Sequence, residues 1–183
     1  MKATFNPNLL YVLIFSIFSA IGMAQEKSSG PVIADYGEVF QIPNPTYKTD
    51  NNHEFKVVYD IMSGAEEGGQ RNPYMESVAR FLNMHAQAGI SPGRLKAVMV
   101  VHNNASKDLL TNESYKERYG MENPNVGLLE ALIDSGVEVI LCGQSSLSRN
   151  IPVDQTVKGT KLALSAMTAL IQYQDAGYRL IKY

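Results

Sequence analysis

NVGLLEALIDSGVEVILC, residues 125–142, decides the fold because it passes directly from a helical stretch to a strand-like one. The helical part begins after an Asn-Pro-Asn turn and ends at Gly136, and glycine is common where helices end. VEVILC (137–142) is a short, almost continuously apolar run, which is typical of a strand buried on both faces of a sheet. A helix that leads at once into such a strand is the repeating unit of an α/β protein.

The same alternation extends in both directions along the chain. Upstream, the strand-like runs FKVVYDIM (55–62) and LKAVMVV (95–101) flank a helical pattern at 73–89, and a further helical stretch is predicted within 106–119. Downstream, KLALSAM (161–167) is predicted as a strand, TALIQYQDAG (168–177) as a helix and YRLIKY (178–183) as the last strand. This order predicts an α/β fold with a mostly parallel sheet of about five strands covered by helices.

The N-terminal part of the chain differs from this domain. Lys2, the apolar run LLYVLIFSIFSAI (9–21) and the small residues around Ala24 predict a secretory signal peptide at 1–24. The apolar run is shorter than the roughly 20 residues that a membrane-spanning helix needs. Residues 25–53 are polar and rich in turn formers, so they are predicted to be an N-terminal extension of the α/β domain at 54–183. The mature protein is therefore expected to be periplasmic or secreted, without stable membrane insertion.

Composition excludes several classes of function. The 183 residues have a formal net charge of −2 with scattered basic residues, so no nucleic acid partner is predicted. No cluster of His, Cys, Asp and Glu has metal-ligand spacing, so no metal site is predicted. The glycine-rich SGAEEGGQRN (63–72) lacks the phosphate-binding patterns of nucleotide sites. We therefore expect neither a metal nor a cofactor.

Cys142 is the only cysteine in the sequence. An exported protein that used disulfides would have cysteines in pairs, so Cys142 is either a buried packing residue or a retained reactive thiol. It ends one predicted strand, and His102 follows another, at the edge of the sheet where ligands of open α/β proteins bind. SSLSRN (145–150) offers a short helix whose amide groups would lower the pKa of the thiol, and Arg149 would act in the same direction.

The candidate site residues each have two possible roles. His102 would orient or deprotonate the Cys142 thiol, or else brace its loop. Gln144 would bind substrate or close the turn after the cysteine, and Arg149 would hold an anion or pair with a carboxylate of a neighbouring subunit. Asn83 is a minor candidate for the same pocket. A cysteine hydrolase is disfavoured because no acidic or amide residue is evidently placed to orient His102.

Four elements taken together resemble the DsrE/DsrF-like family, particularly its exported members. They are ARFLNMHAQAGI (79–90), LKAVMVVHNNAS (95–106), YGMENPNVGLLEALIDSGVEVILCGQS (119–145) and the downstream Arg149. The resemblance implies a compact, layered α/β sandwich that assembles as a homotrimer or homohexamer. It also implies that sulfur is carried between partner proteins as a cysteine persulfide, and Cys142 falls on the position of the sulfur-carrying cysteine.

The sequence departs from the family pattern at two loop positions. Asn103 and Asn150 stand where family members often have glycine. Asparagine is the residue other than glycine that best tolerates a left-handed backbone, so both loops are expected to keep their shape.

Two classes of function follow from these observations. The first is a sulfur carrier or sulfurtransferase in which Cys142 accepts sulfur, His102 tunes the thiol, and Arg149 with backbone amides holds an anionic sulfur compound. The second is a non-catalytic oligomeric module that binds a small ligand and whose cysteine is incidental.

Overall fold

The computed structural model describes residues 26–65 and 69–183, so the predicted signal peptide lies outside the described residues. Two strands, β1 (Lys27–Ser28) and β2 (Val39–Phe40), form a small antiparallel sheet. The five further strands are β3 (Phe55–Ile61), β4 (Leu95–Val101), β5 (Glu138–Cys142), β6 (Lys161–Ala163) and β7 (Arg179–Lys182). They form one sheet in the order β6-β5-β4-β3-β7, in which every pair of neighbours is parallel.

Helices cover both faces of the larger sheet. They are α1 (Pro73–Gln87), α2 (Asn112–Tyr119), α3 (Val126–Asp134), α4 (Gly143–Ser148) and α5 (Ala166–Asp175). Short 3-10 helices lie at Pro92–Arg94, Asn103–Leu109 and Val153–Gln155. None of the helices in the described part of the chain is long and apolar enough to cross a membrane.

The two faces have separate hydrophobic cores, which make the fold a three-layer sandwich. The larger core joins α1 and α3 to side chains such as Tyr59, Met99 and Leu141. The smaller core joins Val58, Val100, Ile140 and Cys142 to Ala166 and Ala169 of α5. Because side chains alternate along a strand, residues next to each other on β3, β4 and β5 fall into different cores. The α/β prediction is confirmed, and Cys142 belongs to the smaller core.

The element boundaries follow capping residues. The Asn72 side chain accepts hydrogen bonds from the first amides of α1, Pro73 occupies its first turn, and the positive φ of Gly89 ends the segment. The prediction that 161–167 is all strand is wrong, because β6 stops at Ala163. The Ser165 hydroxyl accepts a hydrogen bond from the amide of Thr168, so α5 begins earlier than its sequence pattern indicates.

Residues 26–53 pack on α1 through one buried asparagine. The Asn83 side chain accepts hydrogen bonds from the amides of Val32 and Ile33 and donates to the carbonyls of Ile33, Tyr36 and Gly37. Ile33 inserts into the larger core and is 2% exposed. The extension therefore lies on the surface of the domain at fixed anchor points, and its polar composition did not indicate which residue holds it.

The chain leaves β5 and β6 toward opposite faces of the sheet. After β5 it contributes Ile151 and Val157 to the larger core, whereas after β6 it enters α5 over the smaller core. Adjacent parallel strands whose connections diverge in this way leave a crevice at their carboxyl ends, where open α/β sheets bind ligands.

Candidate functional site

Cys142 lies in this crevice, at the carboxyl end of β5. Gly143 follows it and begins α4. A Cβ atom added at Gly143 would lie 2.6 Å from the Ala163 carbonyl oxygen and 3.1 Å from that of Leu164. Only glycine therefore lets the chain after β6 come close enough to bring the start of α5 against the cysteine.

Two helix N-termini converge on the Cys142 sulfur. Burial raises the pKa of the thiol, but hydrogen bonds to the thiolate outweigh it. They come from the Ser145 amide, the Ala166 amide, the Ser145 hydroxyl and the Gln144 amide, and the net result is a pKa below the ordinary value. The short helix predicted after the cysteine is confirmed. Within the described residues, Arg149 is not one of the groups that lower the pKa of Cys142. It follows the C-terminal end of α4, whereas Cys142 precedes the N-terminal end.

His102 is oriented by a buried acid. Its Nε2 atom lies 2.7 Å from Oδ1 of Asp60, whose Oδ2 atom lies 3.6 Å from Lys182 Nζ. Asp60 is 6% exposed. The prediction that no acidic residue is placed to orient His102 is therefore wrong. A carboxylate only accepts, so this contact places a proton on Nε2 and leaves Nδ1 as the basic nitrogen.

The strand register places His102 beside Cys142. Val101 of β4 pairs with Leu141 of β5, so the next residues of the two strands are neighbours. Val101 and Leu141 belong to the larger core. Because side chains alternate along a strand, His102 and Cys142 project toward the other face of the sheet, which α5 covers. His102 is not among the groups that lower the Cys142 pKa in the described residues, and its observed contact is with Asp60. The sheet therefore brings base and thiol to one edge without a direct hydrogen bond between them.

The loop after β4 is tied to α4. Ser145 Oγ accepts a hydrogen bond of 2.9 Å from the Asn103 amide, and the Asn103 side-chain oxygen accepts one from Arg149 Nη2. Asn103 and Asn150 both have a φ of 53°. The expectation that asparagine preserves the left-handed backbone at these two positions is confirmed. Ser145 thus connects the His102 loop to the thiol.

Arg149 also lines a polar cavity of ≈490 Å³. Lys107, Ser63, Gly64 and Ser148 are among its lining residues, and Cys142 is not. Lys107 donates to the carboxylate of the neighbouring Asp108. The structure therefore places Arg149 where it can meet an anion that approaches this edge of the sheet, but separates it from the thiol.

The other two predicted residues have structural contacts. Gln144 Nε2 donates to the Leu164 carbonyl over 3.3 Å, which closes the turn after Cys142 while the rest of the side chain is exposed. Asn83 is fully buried, and its bonds to the N-terminal segment use its polar atoms. The structure does not bring Asn83 to the cysteine.

Sequence reasoning missed Asp60, Ser145 and the Ala166 amide. Ser145 lies in the SSLSRN run that was singled out as a helix start, so its position was available in the sequence. Asp60 was visible as the one acidic residue inside the run FKVVYDIM (55–62). A backbone amide has no signature in the sequence, because only the fold determines what it faces.

These features define a class of protein: a three-layer α/β sandwich with one cysteine at the carboxyl end of a parallel strand, beside the crevice between β5 and β6. Residues 56–183 match the model of the DsrE/DsrF-like family, and the chain belongs to that family. No group of three or more potential metal-binding side chains is found in the described ranges, 26–65 and 69–183.

Two solved structures have a similar fold. One is the protein MTH1491 of Methanobacterium thermoautotrophicum, described as of unknown function, with a TM-score of 0.53 and 15% identity. The other is the ychN protein of E. coli, with a TM-score of 0.52 and 16% identity. Each alignment covers 70% of this chain and 99% of the other. No curated protein matches the sequence.

Proposed function

We propose that the protein is an exported sulfur carrier or sulfurtransferase that holds sulfur as a persulfide on Cys142. The observation that carries this proposal is the set of donors around the sulfur. Amides from the starts of α4 and α5, together with the Ser145 hydroxyl, favour the thiolate over the thiol. A cysteine that only filled space would need none of them, since burial alone raises a thiol pKa.

The chemistry needs only the thiolate and a sulfane sulfur donor such as thiosulfate. The Cys142 thiolate attacks the outer sulfur of thiosulfate, the donor's sulfur–sulfur bond breaks, and sulfite leaves with the electron pair. The product is a Cys142 persulfide anion. An acceptor thiolate then attacks the outer sulfur of the persulfide, and Cys142 leaves as the thiolate.

His102 and Arg149 have supporting roles in this proposal. His102, with its Nε2 atom bonded to Asp60, offers Nδ1 as a base at the same edge of the sheet as the thiol. Arg149 and Lys107 attract an anionic donor to the carboxyl edge of the sheet through their cavity. The amides around the Cys142 sulfur stabilise it again when it leaves as the thiolate in the transfer step.

Export and self-association complete the proposal. The signal peptide predicted at 1–24 supports a periplasmic or secreted location. Self-association as a homotrimer or homohexamer is supported by exposed apolar side chains on the elements that meet at Cys142. They are Leu147 on α4, Leu162 and Leu164 at β6, and Met167 and Ile171 on α5. A neighbouring subunit that covered them would also control access to the thiol.

The burial of Cys142 favours a second candidate function. The residue is 4% exposed and packs in the smaller core, as an inert cysteine would. In that case the protein is a non-catalytic oligomeric module that binds a small ligand. The hydrogen bonds to the sulfur then contribute to packing and not to reactivity.

Alkylation of the native protein separates the two candidates. The rate at which iodoacetamide modifies Cys142 should stay high below the ordinary thiol pKa of about 8.5. Incubation with thiosulfate or polysulfide should add sulfur to the protein, visible as a mass increment that a reductant removes and that Cys142→Ser abolishes. Ser145→Ala should slow both reactions at mildly acidic pH. Ser91→Ala is the control and should behave as the wild type, because Ser91 is exposed, makes no capping hydrogen bond and lies before β4, at the opposite edge of the sheet.

The opposite outcome is equally clear. If Cys142 reacts only after denaturation and no donor adds sulfur, the thiol is a packing group and the binding module takes the place of the sulfur carrier.

A further inference from the structure

A groove of ≈510 Å³ lies between α1, β3 and the edge strand β7, on the sheet face that carries the larger core. Arg179, Ile181 and Tyr183 line it because alternate residues along a strand face the same side. Val39 of the N-terminal segment also contributes to its wall. Cys142 belongs to the opposite face, so the groove is separate from the thiol site.

An unbroken row of aromatic rings lines the groove. Neighbouring ring centroids along it are 4.4 to 6.4 Å apart. In order, the rings are His53, Phe55, His85, Phe81, Tyr59 and Tyr183. Tyr59 and Phe81 are buried, whereas Tyr183 is 46% exposed at the rim. The row therefore offers a continuous apolar surface that reaches from the core to solvent.

The charged side chains of the lining have one sign. Lys56, Arg80 and Arg179 line the groove together with two histidines, and no Asp or Glu is among the lining residues that the structure describes. Lys56 and Arg80 have acidic neighbours at 3.7 and 3.9 Å outside the groove. Arg179 has no ion pair within the described ranges. An apolar wall with one unpaired cation, Arg179, at its rim is complementary to a molecule that is apolar at one end and anionic at the other.

We propose that this groove binds a small amphipathic anion, whose apolar body lies on the aromatic row and whose carboxylate or sulfonate meets Arg179. Its volume falls within the range of about 300–1,000 Å³ that small-molecule sites occupy. A two-fold contact between copies of the chain through this face fits less well. Such a contact buries Arg179 against a second copy of a lining whose described residues include no Asp or Glu to pair with it.

Decanoate, used below the concentration at which it forms micelles, is a suitable probe. Calorimetric titration of the purified protein should show saturable binding, and decyltrimethylammonium, with the same chain and the opposite charge, should bind about tenfold more weakly or not at all. Arg179→Gln should weaken decanoate binding by a similar factor. Ile181→Glu, which puts a carboxylate into the groove, should abolish it.

Leu180→Glu is the matched control. Leu180 precedes Ile181 on β7, is 41% exposed and faces the other side of the sheet, so decanoate binding should be unchanged. The proposal is overturned if decanoate does not bind, if the cationic probe binds equally well, or if Leu180→Glu and Ile181→Glu have the same effect. It is also overturned if Ile181→Glu alters the sedimentation mass without altering decanoate binding, because the groove is then a contact between copies.

Discussion

Replacing Asn83 with leucine tests how the N-terminal segment is attached. The two side chains are similar in volume, but leucine makes none of the five contacts that Asn83 makes with the backbone of residues 32–37. An amide side chain has two N–H donors and two acceptor lone pairs, so at most four of these are full hydrogen bonds. Each lost bond leaves a buried backbone group without a partner, which costs about 1–3 kcal/mol, so their loss costs at least about 4 kcal/mol if the segment stays in place.

Release of the segment limits this cost. Once the backbone of residues 32–37 separates from α1, its polar groups bond to water, and what remains lost is mainly the burial of Ile33. That burial contributes about 1.5–3 kcal/mol. We therefore expect Asn83→Leu to lower the free energy of unfolding by about 2–4 kcal/mol, with detachment of the segment as the less costly route.

Two measurements check this expectation. Urea denaturation gives the change in the free energy of unfolding, and limited proteolysis should show faster cleavage within residues 26–53 than in the wild type. Gln87→Leu is a graded control, because Gln87 reaches the same segment from a more exposed position on α1, through Gly30 and Ser28. An Asn83→Leu protein with an unchanged urea midpoint and an unchanged cleavage pattern would refute the anchoring role.

Three further predictions concern single contacts. Gly37→Ala places a Cβ 2.5 Å from the α1 backbone and should detach the N-terminal segment, whereas Gly120→Ala, with a similar positive φ but open space around it, should cost only the strain of about 1–2 kcal/mol. Gly143→Ala should push away the start of α5 and thereby raise the pKa of the thiol, which slower alkylation at mildly acidic pH would show. A hydrogen bond from Lys161 lowers the pKa of Glu138, so this carboxylate stabilises the fold above the usual carboxyl pKa of about 4.3 and less so as the pH falls below it. The free energy of unfolding of Glu138→Gln should therefore fall less steeply than that of the wild type as the pH is lowered. The difference should be less than about 1 kcal/mol because the pair is largely exposed, and urea denaturation at a series of pH values measures it.

The sequence predicted those parts of the fold that local patterns determine. Near-continuous apolar runs located β3, β4 and β5, and the helical spacing of apolar residues within 73–89 located α1. The backbone at Asn103 and Asn150 also followed from residue type, because a left-handed conformation is a local property. The position of Cys142 at the end of a strand also followed from a local pattern, the apolar run VEVILC (137–142).

The remaining features depend on which strands become neighbours. Asp60 orients His102 only because β3 lies beside β4, and Ala166 reaches Cys142 only because β6 lies beside β5. Strand order is a property of the whole chain, so no local window contains it. The anchoring of residues 26–53 was missed for the same reason, since its decisive residue, Asn83, lies on a helix far along the sequence.

The pairing of β7 with β3 joins the two ends of the α/β domain. During synthesis, β3 emerges early, whereas β7, which completes its hydrogen bonding and supplies Lys182 beside Asp60, emerges after the other strands of the sheet. Such non-local pairing slows folding, because loop-closure entropy is lost before the contacts form. The nascent chain therefore reaches its native sheet only after the C-terminal residues have left the ribosome.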